Sequence, residues 1–268
     1  MLAKRIITSI FLLAVLIIFM YVDWLCGLMI TAFIAAGLYE FFTMLDKKGI
    51  RVYKLFGLVL GIIIPLSIAL RFELTRNWEF LLLVVALLFL ITMQLRRSDN
   101  SGVVVEISTT IFGIVYVSWL LSFLIRVRYL PGGLGMLLSV LIITKLGDIG
   151  AYLVGSRFGK TRLIPKVSPN KSWEGSIAGL VFSVLGAFAS KHFLGLSYFQ
   201  LLWLGLGLGM LGQLGDLSES LIKRDCHVKD AGNILPGMGG VLDFIDSLLF
   251  TGPAFYFYMM IVLNRLVL

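Results

Sequence analysis

Paired acids and a glycine-rich turn mark the most polar segment of this chain, "GDLSESLIKRDCHVKDAGNILPGMGGVLDFIDS" at residues 215–247. Asp216 lies at its start, and Asp243 and Asp246 follow the turn, three residues apart. Carboxylate oxygens suit a hard cation such as Mg²⁺, which commonly takes one or two protein carboxylates together with substrate phosphates. The acids therefore predict a metal-assisted site.

The same segment also carries groups that bind phosphate. If a helix continues past residue 215, Asp216, Ser220 and Lys223 share one face of it, because they are spaced by four and three residues. The glycines of the turn let the backbone pass close to a phosphate, and a helix that starts there points its N-terminal amides at an anion.

A second polar segment, "KLGDIGAYLVGSRFGKTRLIPKVSPNKSWEGSIAG", covers residues 145–179. Lys145 and Asp148 share a face of an otherwise apolar helix, and ionisable residues inside a membrane span usually mark a site. The alternative is an internal ion pair that only braces the helices. Ser168 and Lys171 belong to the following loop, whose mixed hydroxyls and cations are typical of phosphate binding.

The elements that position these residues are membrane helices. The chain has 268 residues, of which 59% are hydrophobic and 14% charged, and its mean hydropathy is +0.99. A soluble domain keeps roughly a quarter of its residues charged. Continuous rather than alternating apolar runs favour helices over strands. The sequence therefore predicts an all-α, polytopic integral membrane protein.

At roughly 20 apolar residues per span, about nine transmembrane helices are expected. They are placed near 5–22, 24–44, 54–70, 78–95, 103–125, 133–155, 175–190, 198–217 and 247–267. We expect residues 1–130 to form a scaffold and residues 131–268 to form the catalytic region, with two cytoplasmic loops.

The basic residues indicate orientation rather than nucleic-acid binding. An N-terminus in the cytoplasm places 16 of the 23 Lys and Arg residues inside, six outside and Lys145 within a span. Positive charge favours the cytoplasmic side, so we expect this orientation in the inner membrane, with the site on the cytoplasmic face. No basic tract is interleaved with aromatic residues, and nucleic acid is not an expected partner despite the net charge of +8.

The stretch "SLIKRDCHVKDAGNILPGMGGVLDFID", residues 220–246, resembles the signature of the phosphatidate cytidylyltransferases, or CDP-diacylglycerol synthases. The positions that match are Ser220, Lys223, Arg224, Lys229, Asp230, Gly232, Pro236, Gly237, Gly239, Gly240, Asp243 and Asp246. The upstream stretches "DIGAYLVG" and "SPNKSWEG" are also similar to this family, so the resemblance extends over roughly residues 140–260.

The resemblance implies a membrane nucleotidyltransferase of phospholipid biosynthesis that converts CTP and phosphatidate to CDP-diacylglycerol and pyrophosphate with Mg²⁺. By matching position it implies catalytic roles for Asp216, Lys223, Asp243 and Asp246. It implies substrate-binding roles for Ser168, Lys171, Ser220, Arg224, Lys229, Asp230, Gly239 and Gly240. The metal ligands that it implies are Asp216, Asp243 and Asp246.

Two positions depart from the signature, which has His at Met238 and Arg at Phe244. Neither a thioether nor a phenyl ring carries a proton or a positive charge. One donor to a developing charge is worth about 3–4 kcal/mol, so the loss of both predicts a cost of several kcal/mol of transition-state stabilisation if they act on the triphosphate. A silent CTP- or lipid-binding homologue and a CTP-dependent lipid kinase therefore stay open as alternatives, as does a homodimer.

Overall fold

The computed structural model describes residues 18–72, 78–98, 101–235 and 239–267, with only the backbone given for 264–267. Helices make up most of it. In chain order they are α1 (Asp23–Lys47), α2 (Lys54–Ala69), α3 (Trp78–Leu95), α4 (Val103–Gly113), a π-helical turn (Ile114–Trp119), α5 (Leu120–Arg128), α6 (Gly133–Phe158), α7 (Trp173–Ala189), α8 (Lys191–Leu194), α9 (Tyr198–Asp225) and α10 (Val241–Val267).

Six helical stretches of the described residues are long and apolar enough to cross a membrane: Asp23–Lys47, Trp78–Leu95, Val103–Arg128, Gly133–Phe158, Tyr198–Asp225 and Val241–Leu263. The expected count of about nine is not confirmed. Helices α2 and α7 are apolar but have 16 and 17 residues, fewer than the roughly 20 that span a hydrocarbon core. The predicted span at 5–22 lies almost entirely outside the described residues.

The prediction of an all-α membrane protein is confirmed, but a short hairpin between α6 and α7 was not predicted. Its strands are β1 (Arg162–Ile164) and β2 (Ser168–Ser172), which pair antiparallel with Arg162 opposite Ser172. The hairpin lies in the polar loop where the sequence predicts phosphate binding. Pattern analysis missed it because the strands have only three and five residues.

The chain forms two compact units, the first from residues 1–125 and 226–242 and the second from 126–225 and 243–268. These compact units are defined by contacts and do not test the expected division into a scaffold, 1–130, and a catalytic region, 131–268. That division stays a prediction. In the first unit, α1, α2 and the π-helical turn pack together, and the Ser118 hydroxyl donates to the Gly61 carbonyl over 2.5 Å. Residues 226–242, which form the middle part of the signature 220–246, belong to this unit.

Small residues allow the helices of the second unit to approach closely. Helix α6 packs along α7, and a Cβ added at Gly175 of α7 would lie 2.8 Å from the Ala151 carbonyl of α6. Close backbone approach through small residues is the usual way that helices pack in membranes. Helix α9 meets α10 in the same manner, since a Cβ at Gly215 would lie 2.5 Å from the Asp246 carbonyl oxygen.

Candidate active site

A cavity of about 650 Å³, with both polar and apolar walls, opens in the second unit between α6, the hairpin, α7 and α9. The residues of its lining that matter here are Asp148, Tyr152, Ser168, Lys171, Gln213 and Asp216. Three of them, Ser168, Lys171 and Asp216, are site residues that the sequence predicts. The structure therefore brings the loop of the first polar segment to the helix that begins the second.

Local capping holds the hairpin over the cavity. The Ser172 hydroxyl accepts a hydrogen bond from the Gly175 backbone N–H, 3.2 Å away, and so caps the N-terminus of α7. Glu174, in the first turn of α7, accepts hydrogen bonds from the backbone N–H groups of Lys160 and Thr161, each at 3.2 Å. These bonds fix both ends of the loop that carries Ser168 and Lys171.

Lys171 and Asp216 form the ion pair that connects the two predicted segments. The Lys171 ammonium lies 2.6 Å from Asp216 Oδ2, and both side chains are partly exposed to the cavity. The Ser220 hydroxyl donates to Asp216 Oδ1 over 3.4 Å, as the predicted helical face requires. Arg224, at the end of α9, donates from Nε to the Val167 carbonyl of the hairpin turn over 3.2 Å.

Lys223 lies between two carboxylates in a largely buried position. Its ammonium is 2.5 Å from Asp243 Oδ1 on α10, and it also forms an ion pair with Glu219, one turn earlier on α9. The Glu219 side chain is 0% exposed and Lys223 is 12% exposed. Our sequence reasoning did not include Glu219, although its spacing of four residues from Lys223 was a usable signal.

Asp246 is the buried acid of the group, 7% exposed, and its Oδ1 accepts a hydrogen bond from the Ser247 backbone N–H over 2.5 Å. Asp216 and Asp148 lie close enough to repel it electrostatically. Within the described ranges, no Lys or Arg lies at ion-pair distance from Asp246. The position thus combines burial with an excess of negative charge.

The donor atoms fit a divalent cation in part. Across residues 18–72, 78–98, 101–235 and 239–267, no group of three or more His, Cys, Asp or Glu side chains converges on one point. Mg²⁺ does not require such a group, because it usually keeps waters and takes one or two carboxylates plus substrate phosphates. Asp216 and Asp246 offer hard oxygen donors in a region of excess negative charge, which is the chemistry that such an ion needs.

The ion pair that the sequence left open within α6 is present. The Lys145 ammonium lies 3.1 Å from Asp148 Oδ2, and it also donates to the Phe244 carbonyl over 2.8 Å and to the Ser247 hydroxyl over 3.0 Å. The pair therefore does more than brace α6, because it reaches α10 beside the acids.

The first unit contains four further predicted site residues within its segment 226–242, namely Lys229, Asp230, Gly239 and Gly240. There Leu235 and Gly239 pair through their backbones, with N···O distances of 3.0 and 3.2 Å. Gly239 has φ +99°, a conformation that favours glycine. Their participation in substrate binding stays a prediction. The predicted departure at Met238 lies outside the described residues.

Sequence reasoning missed a polar pair at the back of the cavity. Gln213 donates from Nε2 to the Ser176 carbonyl over 2.9 Å and accepts a short hydrogen bond from the Ser176 hydroxyl. Both residues line the cavity. The available signal was a lone Gln inside an apolar span, one turn before Asp216, but nothing local indicates its partner on α7.

Comparison with known proteins places this geometry in context. The profile described as the cytidylyltransferase family matches residues 3–262. The chain is 32% identical to the phosphatidate cytidylyltransferase of Synechocystis sp., with 90% of each protein covered. It is 34% identical to the phosphatidate cytidylyltransferase of Bacillus subtilis, covering 83% of this chain and 85% of the relative. It is 37% identical to the uncharacterized protein YnbB of Escherichia coli over 68% of this chain and 64% of that protein.

Proposed function

The chain belongs to the cytidylyltransferase family, and on that premise we propose that it transfers the cytidylyl group of CTP to phosphatidate. The products are CDP-diacylglycerol and pyrophosphate. The observation that carries the proposal is the ion pair between Lys171 and Asp216 in the wall of the cavity. It supplies a cation for phosphate and a carboxylate for metal at one place in an otherwise apolar protein.

In the proposed reaction, a phosphate oxygen of phosphatidate attacks the α-phosphorus of CTP. The new bond joins that oxygen to the α-phosphorus, and the bond from the α-phosphorus to the oxygen that bridges to the β-phosphate breaks. Pyrophosphate leaves with both electrons of that bond. No covalent enzyme intermediate is needed, so positioning and charge neutralisation provide the catalysis.

The residues of the second unit match these needs. Lys171 lines the cavity, and Lys223, near the end of α9, pairs with Asp243 at the start of α10, so their ammonium groups would neutralise phosphate oxygens of CTP. Asp216 and Asp246 are the residues that would hold Mg²⁺, and the role of Asp243 as a further ligand stays a prediction because its carboxylate pairs with Lys223. When bound, that ion would neutralise charge on the triphosphate.

We also propose an orientation for the protein, which is integral to the membrane. The loop between α6 and α7 carries most of the positive charge near the cavity, and such charge favours the cytoplasmic side. On this basis the N-terminus and the cavity both face the cytoplasm, across the inner membrane. CTP is too highly charged to cross a lipid bilayer, so a cavity that faces the cytoplasm would receive it directly from that side, while phosphatidate would enter from the lipid.

The test is an assay of the purified protein in lipid–detergent micelles with CTP, phosphatidate and Mg²⁺. We expect equal amounts of CDP-diacylglycerol and pyrophosphate, and loss of both products when EDTA removes the metal. Release of CDP in place of pyrophosphate would instead identify a lipid kinase. CTP binding without turnover, beside an active relative, would identify a silent homologue and refute the proposal.

A matched pair of variants tests the cavity itself. Lys171→Met should lower kcat/KM by about 10²- to 10³-fold, the loss typical of removing one group that stabilises a developing charge. Lys166→Met provides the control, because Lys166 is an exposed lysine of the same hairpin and does not line the cavity. Equal activity of the two variants would exclude Lys171 from the site.

A further inference from the structure

Phe244 is the described position at which this chain departs from its family's signature, and a positive charge lies beside it. The Lys145 ammonium is 4.9 Å from the centroid of the Phe244 ring. The same ammonium donates a hydrogen bond to the Phe244 carbonyl oxygen over 2.8 Å. A cation within about 6 Å of an aromatic face is attracted by the ring, so Phe244 helps to hold the charge in place.

The protein fixes Lys145 in this position through all of its donors. A lysine ammonium has three hydrogens, and Lys145 directs them to Asp148, Phe244 and Ser247. The Ser247 hydroxyl in turn donates to Asp148 Oδ2 over 2.9 Å, which closes the network. Because moving the ammonium would break several bonds at once, its charge is a fixed feature of the site.

The charge acts on the acids of the site. Lys171 and Lys223 form ion pairs with Asp216 and Asp243, respectively. Lys145 attracts Asp246 electrostatically, in opposition to the repulsion from Asp216 and Asp148. Among the described residues, Lys145 thus attracts the buried Asp246 without forming an ion pair with it.

We propose that Lys145 is a positioning residue for the transfer reaction, and that it supplies from α6 the positive charge that the signature carries as an arginine at residue 244. In this arrangement the Phe244 ring holds the Lys145 ammonium, and the site keeps its positive charge although residue 244 is not an arginine. The inference rests on the proposed cytidylyl transfer. Its test therefore begins with the wild-type assay, since an inactive wild type refutes the proposed function and leaves this inference without a reaction.

With an active wild type, the deciding experiment moves the charge between the two positions. Lys145→Met should lower kcat/KM by about 10- to 100-fold, the range expected for one hydrogen-bonded charge. Lys145→Arg should keep most of the activity. Phe244→Arg alone should bring no gain, because it places two cations together. In the double variant Lys145→Met/Phe244→Arg, the charge is restored at residue 244, and at least half of the lost activity on a logarithmic scale should return.

Two further measurements separate this role from a purely structural one. Lys191→Met is the matched control, because the Lys191 ammonium also lies over an aromatic ring, 3.5 Å from the centroid of Tyr198, at a helix end away from the cavity. Its kcat/KM should stay within twofold of wild type. Thermal unfolding of each variant shows whether rescue reflects stability.

The inference is overturned if Lys145→Met retains wild-type kcat/KM. It is also overturned if the double variant is as stable as wild type but no more active than Lys145→Met. If Lys145→Met alone does not fold, the double variant is compared with wild type directly. Activity within tenfold of wild type then supports the inference, and any lower activity contradicts it.

Discussion

Lys223 provides the sharpest test of the electrostatic reasoning, because one ammonium compensates two carboxylates in a buried place. Glu219 is 0% exposed and Asp243 is 16% exposed, with the Lys223 ammonium 2.5 Å from Asp243 Oδ1. Replacing Lys223 with Met keeps the apolar stem but removes the ammonium that pairs with both carboxylates. Removal of one partner from a buried pair costs about 3–5 kcal/mol of unfolding free energy, and we expect Lys223→Met to fall in that range because Glu219 is fully buried.

The double variant Lys223→Met/Glu219→Gln separates stability from catalysis. Neutralising Glu219 removes the acid that has least access to water, while Asp243 keeps some exposure. We therefore expect the double variant to regain at least half of the lost unfolding free energy. Its kcat/KM for CTP should stay low, because the cation proposed to bind the triphosphate is still absent.

Equilibrium unfolding in mixed micelles measures these differences, and Asp46→Asn gives the scale for an exposed pair. Asp46 is 44% exposed and lies 3.4 Å from the Lys54 ammonium, so its loss should cost less than about 1 kcal/mol. The reasoning is refuted if Lys223→Met costs no more than Asp46→Asn. It is equally refuted if Glu219→Gln fails to restore stability to the Lys223 variant.

Two other predictions concern how α10 is placed. Gly215→Ala should destabilise the protein by about 1–3 kcal/mol and lower its activity, because the added Cβ would lie 2.5 Å from the Asp246 carbonyl oxygen. Gly207→Ala is the control on the same helix: its Cβ would meet nothing within 4 Å, so it should be neutral or slightly stabilising in thermal unfolding. Glu40→Ala should cost about 1–3 kcal/mol of unfolding free energy, because the Glu40 carboxylate accepts a hydrogen bond from the buried Leu242 N–H over 2.9 Å, whereas Glu40→Gln should cost less. Unchanged hydrogen exchange at the start of α10 in Glu40→Ala would contradict this role.

The candidate site follows from the sequence where neighbouring residues determine the geometry. Asp216, Ser220 and Lys223 share a face of α9 because one helix carries them, and the bond between Ser220 and Asp216 is local. The signature residues could also be found in the sequence, because the signature is defined by the order and spacing of residues along the chain. The bridge from Lys145 to Phe244 joins residues 99 apart, and no periodic pattern specifies such a contact.

Helix lengths show a similar division. Apolar runs predicted where the helices lie, because a chain that crosses lipid must satisfy its backbone N–H and C=O groups internally, and a helix does so. They did not fix how many helices cross, since α2 and α7 are apolar yet end after 16 and 17 residues. The hairpin could not be predicted from local patterns, because hydrogen bonds to Glu174 at the start of α7 hold its first end, 14 residues earlier in the chain.

By itself the sequence determined that this is a helical membrane protein of the cytidylyltransferase family, with acids and lysines concentrated in two segments. Composition and short-range spacing suffice for the helical membrane fold, because solvent preference and helical periodicity are local properties, whereas the family follows from the signature and from the profile that matches residues 3–262. Only the tertiary structure decided which acid meets which lysine: Lys171 with Asp216, Lys223 with Asp243 and Glu219, and Lys145 beside Phe244. Those pairings depend on how closely backbones approach at residues such as Gly215, which is a property of packing between distant segments.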